Sequence, residues 1–176
     1  MNKKQILTKK IRLNIGCGED YKTGYIGIDR VKFNEHVNII CDLDKNMLPF
    51  KSNSVDECFI SHVLEHLERP ELLIQEMKRI LKDGGLLHIT VPFFQLPQAN
   101  VFVHKNYWSI ACKNLFDGTY FEFGKWSKVE WDVNFANRDG LKQKLLKPLI
   151  LRWPSIYEGH FASIFPVAEI QFKLIK

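Results

Sequence analysis

Short apolar runs separated by polar connections dominate the first half of the chain. Ile11–Ile15, Tyr25–Ile28, Val37–Cys41, Val55–Ile60 and Leu86–Val91 each have the length and near-continuous apolar character of a strand buried on both faces. Between the fourth and fifth runs the period changes. Leu73, Met77, Ile80 and Leu81 recur at helical spacing, which predicts a helix whose apolar stripe faces the sheet. Pro70 suits its first turn, where no amide hydrogen is needed, and Gly84 suits its end, where a left-handed residue closes the last turn. Strands alternating with helical pattern predict an α/β domain built on a mostly parallel sheet.

The second half is less periodic. Phe93 to Gly118 is rich in aromatic and amide side chains and reads as a loop region with a helix near Asn106–Phe116. Tyr120–Trp126 and Lys128–Phe135 alternate weakly and are expected to form antiparallel strands. Leu141–Leu151 is helical in pattern until Pro148 interrupts it, and Ile170–Leu174 reads as a closing strand. With no repeat or linker, residues 11–176 are expected to form one domain, preceded by a basic arm at 1–10.

Composition narrows the class without fixing the function. A chain of 176 residues with 45% hydrophobic content is large enough for one well-buried core. The net charge of +5 permits a polyanionic partner but does not require one. Cys17, Cys41, Cys58 and Cys112 show no paired spacing, so a reduced, cytoplasmic protein is expected. The N-terminus lacks the apolar core of a signal peptide. The longest stretch free of Asp, Glu, Lys and Arg holds two prolines, two glutamines and an asparagine, which excludes a membrane span there. Lys142, Lys144, Lys147 and Arg152 lie among leucines; contact with a membrane surface or anionic acceptor is one reading, and a solvated helix face the preferred one.

Candidate chemistry begins at the end of the first apolar run. Leu13-Asn14-Ile15-Gly16-Cys17-Gly18 places two glycines one residue apart, and the second run ends in Asp29. Glycines there let backbone approach a ligand closely. A carboxylate on the neighbouring strand tip can accept hydrogen bonds from both hydroxyls of a ribose, so a nucleoside-containing cofactor is expected. A nicotinamide dinucleotide is disfavoured. Tyr21 stands where the third glycine of that fingerprint belongs, and Asp29 comes only eleven residues after Gly18.

Further motifs follow in order: Val37-Asn38-Ile39-Ile40-Cys41-Asp42-Leu43, Met47-Leu48-Pro49-Phe50, Asn53-Ser54-Val55-Asp56, Cys58-Phe59-Ile60, His62-Val63-Leu64-Glu65-His66-Leu67, Gly84-Gly85 and Leu86-Leu87-His88-Ile89-Thr90-Val91-Pro92. From Ile11 to Pro92, roughly half the chain, this succession resembles the class I S-adenosylmethionine-dependent methyltransferases, in particular the small group related to the ubiquinone and menaquinone enzymes. The resemblance implies a Rossmann-like, doubly wound sheet of seven strands, the last antiparallel, with helices on both faces. The nine residues between Ile15 and Tyr25 are fewer than the family's first crossover normally spans.

By the same resemblance, S-adenosylmethionine is the cofactor. Gly16, Cys17 and Gly18 pass under its methionine part and ribose, and Asn14 stands near its amino group. Asp29 holds the ribose hydroxyls and Arg30 borders the adenine. Asp42 and Leu43 bind the adenine, with Asp44 competing and a helix N-cap the alternative for either acid. Ser61 and His62 lie beside the transferred methyl group. Residues 11–92 are then the cofactor half, and 93–176 an acceptor lid with closing strands. His104, after the fifth strand, is expected as a general base or as a loop pin; His160 is a further candidate for the acceptor site. The implied activity is methyl transfer to a small-molecule or glycan-type acceptor. A non-catalytic cofactor-binding protein and an RNA methyltransferase are the alternatives, nucleic acid being disfavoured for want of an RNA-binding appendage. His62 and His66 are four apart and would share a helix face, yet no third ligand is visible in the sequence, and no metal is expected. His66 reads as an anchor of the helix start and His88 as a core residue.

Overall fold

The computed structural model describes residues 10–45, 47–95, 102–120, 122–135 and 140–176, the side chains of 141–143 excepted. The expected basic arm, Lys10 aside, and the Lys142 side chain lie outside the described residues. Seven strands form one sheet: β1 (Arg12–Ile15), β2 (Ile26–Asp29), β3 (Val37–Ile40), β4 (Val55–Ser61), β5 (Leu81–Pro92), β6 (Lys128–Phe135) and β7 (Val167–Ile175). Their order is β3-β2-β1-β4-β5-β7-β6. The first five run parallel, and β7 is antiparallel to both neighbours, as the resemblance implied. The chain moves outward from β1 to β3 and then returns to place β4 on the other side of β1. That reversal opens a crevice at the carboxyl ends of β1 and β4, where open α/β sheets bind ligands.

The side-chain period of two sorts the sheet into unlike faces. Register aligns Leu13 with Cys58 and Ile15 with Ile60, and then Cys58 with Leu87 and Ile60 with Ile89. All six are buried, and α1 (Pro70–Ile80) adds Leu73, Ile74, Met77 and Ile80 to the same core. Phe116, in the short 3-10 helix Ile110–Phe116, packs on Phe172 of β7 with ring centroids 5.3 Å apart. The helix near Asn106–Phe116 therefore starts later than expected and is 3-10 in type.

The other face is polar. Arg12 pairs with Glu57 across β1 and β4, while Phe59, His88 and Lys173 line up across β4, β5 and β7. Glu57 is its hub. It accepts a 2.6 Å hydrogen bond from the Tyr25 hydroxyl and lies 3.5 Å from Arg12 Nε and 3.3 Å from His88 Nε2. Lys22 sits over the Phe59 ring, its ammonium 3.8 Å from the centroid. The short β1–β2 connection thus lays Lys22 and Tyr25 over this face, and no helix forms there or between β2 and β3 among the described residues. Rather than being a closed core residue, His88 is half-buried beside Glu57, and burial lowers its pKa.

Three sequence expectations shift. α1 ends at Ile80, four residues before Gly84, because Leu81 already pairs with Val55 at the start of β5. Of the stretch Tyr120–Trp126, the described residues are turns and irregular chain, leaving β6 on the sheet edge against β7 alone. Pro148 divides the Leu141–Leu151 segment as expected: α2 (Gly140–Leu145) stops and α3 (Lys147–Arg152) restarts with proline in its first turn, followed by the single turn α4 (Pro154–Ile156). No described helix is long and apolar enough to cross a membrane.

Candidate cofactor site at the carboxyl ends of the strands

A cavity of about 610 Å³ opens at the switch point, where Gly16, Asp29, Arg30, Asp42, Leu43 and His62 all line it. Six of the ten residues expected to bind cofactor meet there, contributed by the ends of β1, β2, β3 and β4. Asn14, Cys17, Gly18 and Ser61 do not line the wall. Asn14 is buried, and its amide donates to Asp20 O at 3.2 Å, holding the turn that follows β1. Cys17 is a buried thiol whose pKa burial raises. Ser61 lies on the polar face of β4, in register with Thr90.

Backbone geometry explains the first glycine. Gly16 has φ of +63°, and a Cβ placed on it would stand 2.3 Å from Val63 Cγ2. Val63 belongs to the turn after β4, so the absent side chain lets the tips of β1 and β4 close together. Gly18 also has positive φ, +53°, and its amide donates to Asp29 Oδ2 at 2.9 Å. Asp29 Oδ1 accepts from Val31 N at 3.2 Å. A carboxylate offers about four lone-pair positions, so two remain toward the cavity.

Each acid after β3 is tied differently. Asp42 Oδ1 accepts from Asp44 N at 3.1 Å, and Lys45 Nζ lies 3.1 Å from Oδ2. The lysine contact, then the Asp44 amide, hold the Asp42 pKa below its ordinary value. Neither acid caps a helix, since the following segment is a turn. Asp44 Oδ1 accepts from Glu68 N at 2.9 Å, which fixes the approach to α1.

His62 departs most from expectation. Its φ of +54° ends β4 abruptly, so His62 and His66 do not share a helix face; the 3-10 turn covers only Leu64–His66. Its Nε2 lies 3.0 Å from Glu169 Oε1 and its Nδ1 3.3 Å from Glu65 Oε1. These two carboxylates, Glu169 first, raise the His62 pKa to about 9. Glu65 is wholly buried, and among the described residues neither carboxylate oxygen accepts a hydrogen bond. The adjacent imidazolium is what offsets that charge.

The segment after β5 is stitched to the same turn. Lys105 N and Asn106 N donate to Glu65 O at 2.7 and 3.2 Å, and the Asn106 amide donates to Leu67 O at 2.7 Å. His66 Nδ1 is 3.3 Å from Val103 O, and the His66 and His104 rings meet edge to face at 4.7 Å. His66 lines the cavity, with Val103 and Lys105 on either side of His104, which itself does not. Glu65, His66 and His104 offer ligand atoms within 4.8 Å of one another, a set that leaves out His62 and so does not complete the pair weighed from the sequence. His160 lies far along the chain, in the π-helical turn Tyr157–Phe161 beside Phe161. Sequence reasoning missed Val63, Leu67, Phe102, Val103 and Lys105 as wall residues. Only Val63 had a signal, because a glycine needing close approach implies a neighbour that fills the space.

A family described as "Methyltransferase domain" matches residues 17–89, the span that carries the strand tips above. Over those residues the chain is similar to methyltransferase domains. A methyltransferase of Mycobacterium tuberculosis, itself uncharacterized, is 52% identical over 40 residues, which is 23% of this chain and 16% of that protein's length. The crystal structure of an S-adenosylmethionine-dependent methyltransferase from Archaeoglobus fulgidus aligns with TM-score 0.62 at 17% identity, covering 95% of this chain and 86% of that one. A phosphoethanolamine N-methyltransferase of Haemonchus contortus, in complex with S-adenosyl-L-methionine, aligns with TM-score 0.52 at 15% identity over 96% of this chain and 49% of that one. At these identities the structural likeness is one of fold. A methyltransferase similar in fold binds S-adenosylmethionine, and the cavity here fits such a group: Gly16 backbone in its wall, and a carboxylate with spare acceptors on the neighbouring tip.

Two outcomes follow from this geometry. Gly16→Ala should lose about 1–3 kcal/mol of stability in urea unfolding, from positive φ and the clash with Val63. Adding Val63→Ala should return part of the loss; strict additivity would contradict the contact. For His62 the folded pKa of about 9 exceeds the ordinary 6.5. Its contribution to stability is therefore full below pH 6.5, declines between 6.5 and about 9, and is absent above. Stability measured against pH should slope downward over that window, and His62→Gln should flatten the slope.

Proposed function

We propose that this chain transfers the methyl group of S-adenosylmethionine to a small-molecule or glycan-type acceptor. The observation that carries this reading is the convergence of four consecutive strand ends on one cavity, with Gly16, Asp29, Asp42, Leu43 and His62 around it. In the proposal Asp29 accepts hydrogen bonds from the ribose hydroxyls through the lone pairs that Gly18 and Val31 leave open. Leu43 and Arg30 flank the base, and Asp42 accepts from its amine. Gly16 leaves room for the methionine part.

The bound cofactor supplies an activated methyl group on a good leaving group, so the protein's work is mainly alignment. Val103 and Lys105 form the acceptor side of the wall, and the Glu65 carbonyl holds their segment in place. His104 stands against His66 at that side, which supports a role in taking the proton of an acceptor hydroxyl. A pinning role is the competing one for the same ring.

Calorimetric titration with S-adenosylhomocysteine tests the donor half. Asp29→Asn should weaken binding about tenfold or more, since bonds to an ionised group contribute about 1.5–3 kcal/mol each. Unchanged affinity would remove the assignment. His104→Ala should leave that affinity intact and lower turnover by about 10²–10⁴-fold once an acceptor is found. Tight binding with no acceptor methylated would instead favour a non-catalytic cofactor-binding protein.

A further inference from the structure

The sequence predicts helix over Leu141–Leu151, with Lys142, Lys144, Lys147 and Arg152 on a solvated face. Many of the exposed side chains between residues 144 and 165 are large and apolar. Leu149, Trp153, Ile156 and Phe161 are each about half exposed, and Ile164 is 63% exposed. Leu149, Trp153, Ile156 and Phe161 border one groove with Leu146 and Phe165. Isolated exposed apolar residues are ordinary, but a contiguous apolar face of this kind marks an interaction surface.

The surrounding charges say what it meets. Residues 140–165 contain four lysines or arginines and one acid, Glu158. Glu158 is turned inward, where its carboxylate accepts the Ile110 amide. Lys147 is held by Asp132 at 2.7 Å. Lys144 and Arg152 remain exposed, and the Arg152 guanidinium lies 5.7 Å from the centre of the Trp153 ring. Exposed apolar groups with an indole among them, Arg152 beside that indole and Lys144 exposed in the same segment, match the interface of an anionic bilayer. A second copy of the chain is a poorer occupant. A two-fold interface places the same patch against itself and would bring Lys144 and Arg152 near their own counterparts.

We propose that the face built by α2, α3, α4 and the turn after them docks on an anionic lipid surface. The mount is rigid. Tyr157 is buried, its hydroxyl donates to Phe165 O at 2.9 Å and accepts from Val167 N at 3.0 Å, and its ring lies 6.1 Å from that of Phe93. Phe93 directly follows β5, so the docking face is tied to the chain that continues toward the cavity wall. The inference goes beyond methyl transfer and does not need it.

Flotation of the full chain with lipid vesicles tests it without turnover. Binding should be at least tenfold stronger to vesicles containing phosphatidylglycerol than to phosphatidylcholine alone, and should fall as salt rises. Leu149→Glu with Trp153→Glu should reduce it at least tenfold while far-ultraviolet circular dichroism is unchanged. Arg152→Glu with Lys144→Glu, on exposed positions, should do the same and guards against misfolding of the first variant. Equal binding to both vesicle types, or none to either, would overturn the proposal. So would a dimer in solution that Leu149→Glu dissociates while vesicles fail to bind. Loss of S-adenosylhomocysteine binding bears on the cofactor site alone, because neither pair of substitutions lines that cavity.

Discussion

The contact between the tips of β1 and β4 is the constraint on which the site depends. Register brings Ile15 opposite Ile60, and both are wholly buried, so neither strand can slide without exposing the core. One residue further, the space between the tips is filled by Val63, and only a glycine fits against it. The parts of the wall contributed by Gly16 and by the turn after β4 are placed by that closure. β2 follows because Gly16 N and Cys17 N both donate to Ile28 O, at 2.7 and 3.1 Å, which sets Asp29 one residue beyond.

A polar cluster takes over work that a covering helix does in larger doubly wound folds. With ten residues between β1 and β2 there is no room for several helical turns. The sheet face beneath is correspondingly polar, with Glu57 drawing Tyr25, Arg12 and His88 together. Lys22 covers the Phe59 ring, and Tyr25 beside it keeps its hydroxyl bonded to Glu57. The short crossover and the polar face are therefore one feature, since an apolar face there would be left exposed.

The sequence made the first half legible because burial on both faces writes itself as continuous apolar runs. All five parallel strands match the expected segments to within a residue at either end, apart from an early start to β5, and Pro70 marks the first residue of α1. The end of α1 was misplaced because Leu81 satisfies a helical stripe and a strand equally well; pairing with Val55 decides it. The glycine and acid positions were readable from backbone freedom and carboxylate chemistry. Lys105 and Val103 were not, since their place comes from hydrogen bonds to Glu65 and His66 across about forty residues of chain. Tyr120–Trp126 misled because weak alternation is also what an irregular chain over an aromatic core produces. His62 misled through spacing: four residues apart means one helix face only if a helix is there, and a left-handed residue begins the turn instead.

The stitching of residues 103–106 to the turn after β4 has a thermodynamic consequence. Asn106 reaches both Leu64 O and Leu67 O, and Glu65 O takes two amides from the same segment. Those bonds join the two sides of the cavity into one mechanical unit. A ligand that displaces either side must work against the other, so occupancy of one half changes the free energy of filling the second. By linkage that coupling is reciprocal. Two ligands meeting in such a cleft would not bind as independent events, because the backbone that holds one wall also holds the other.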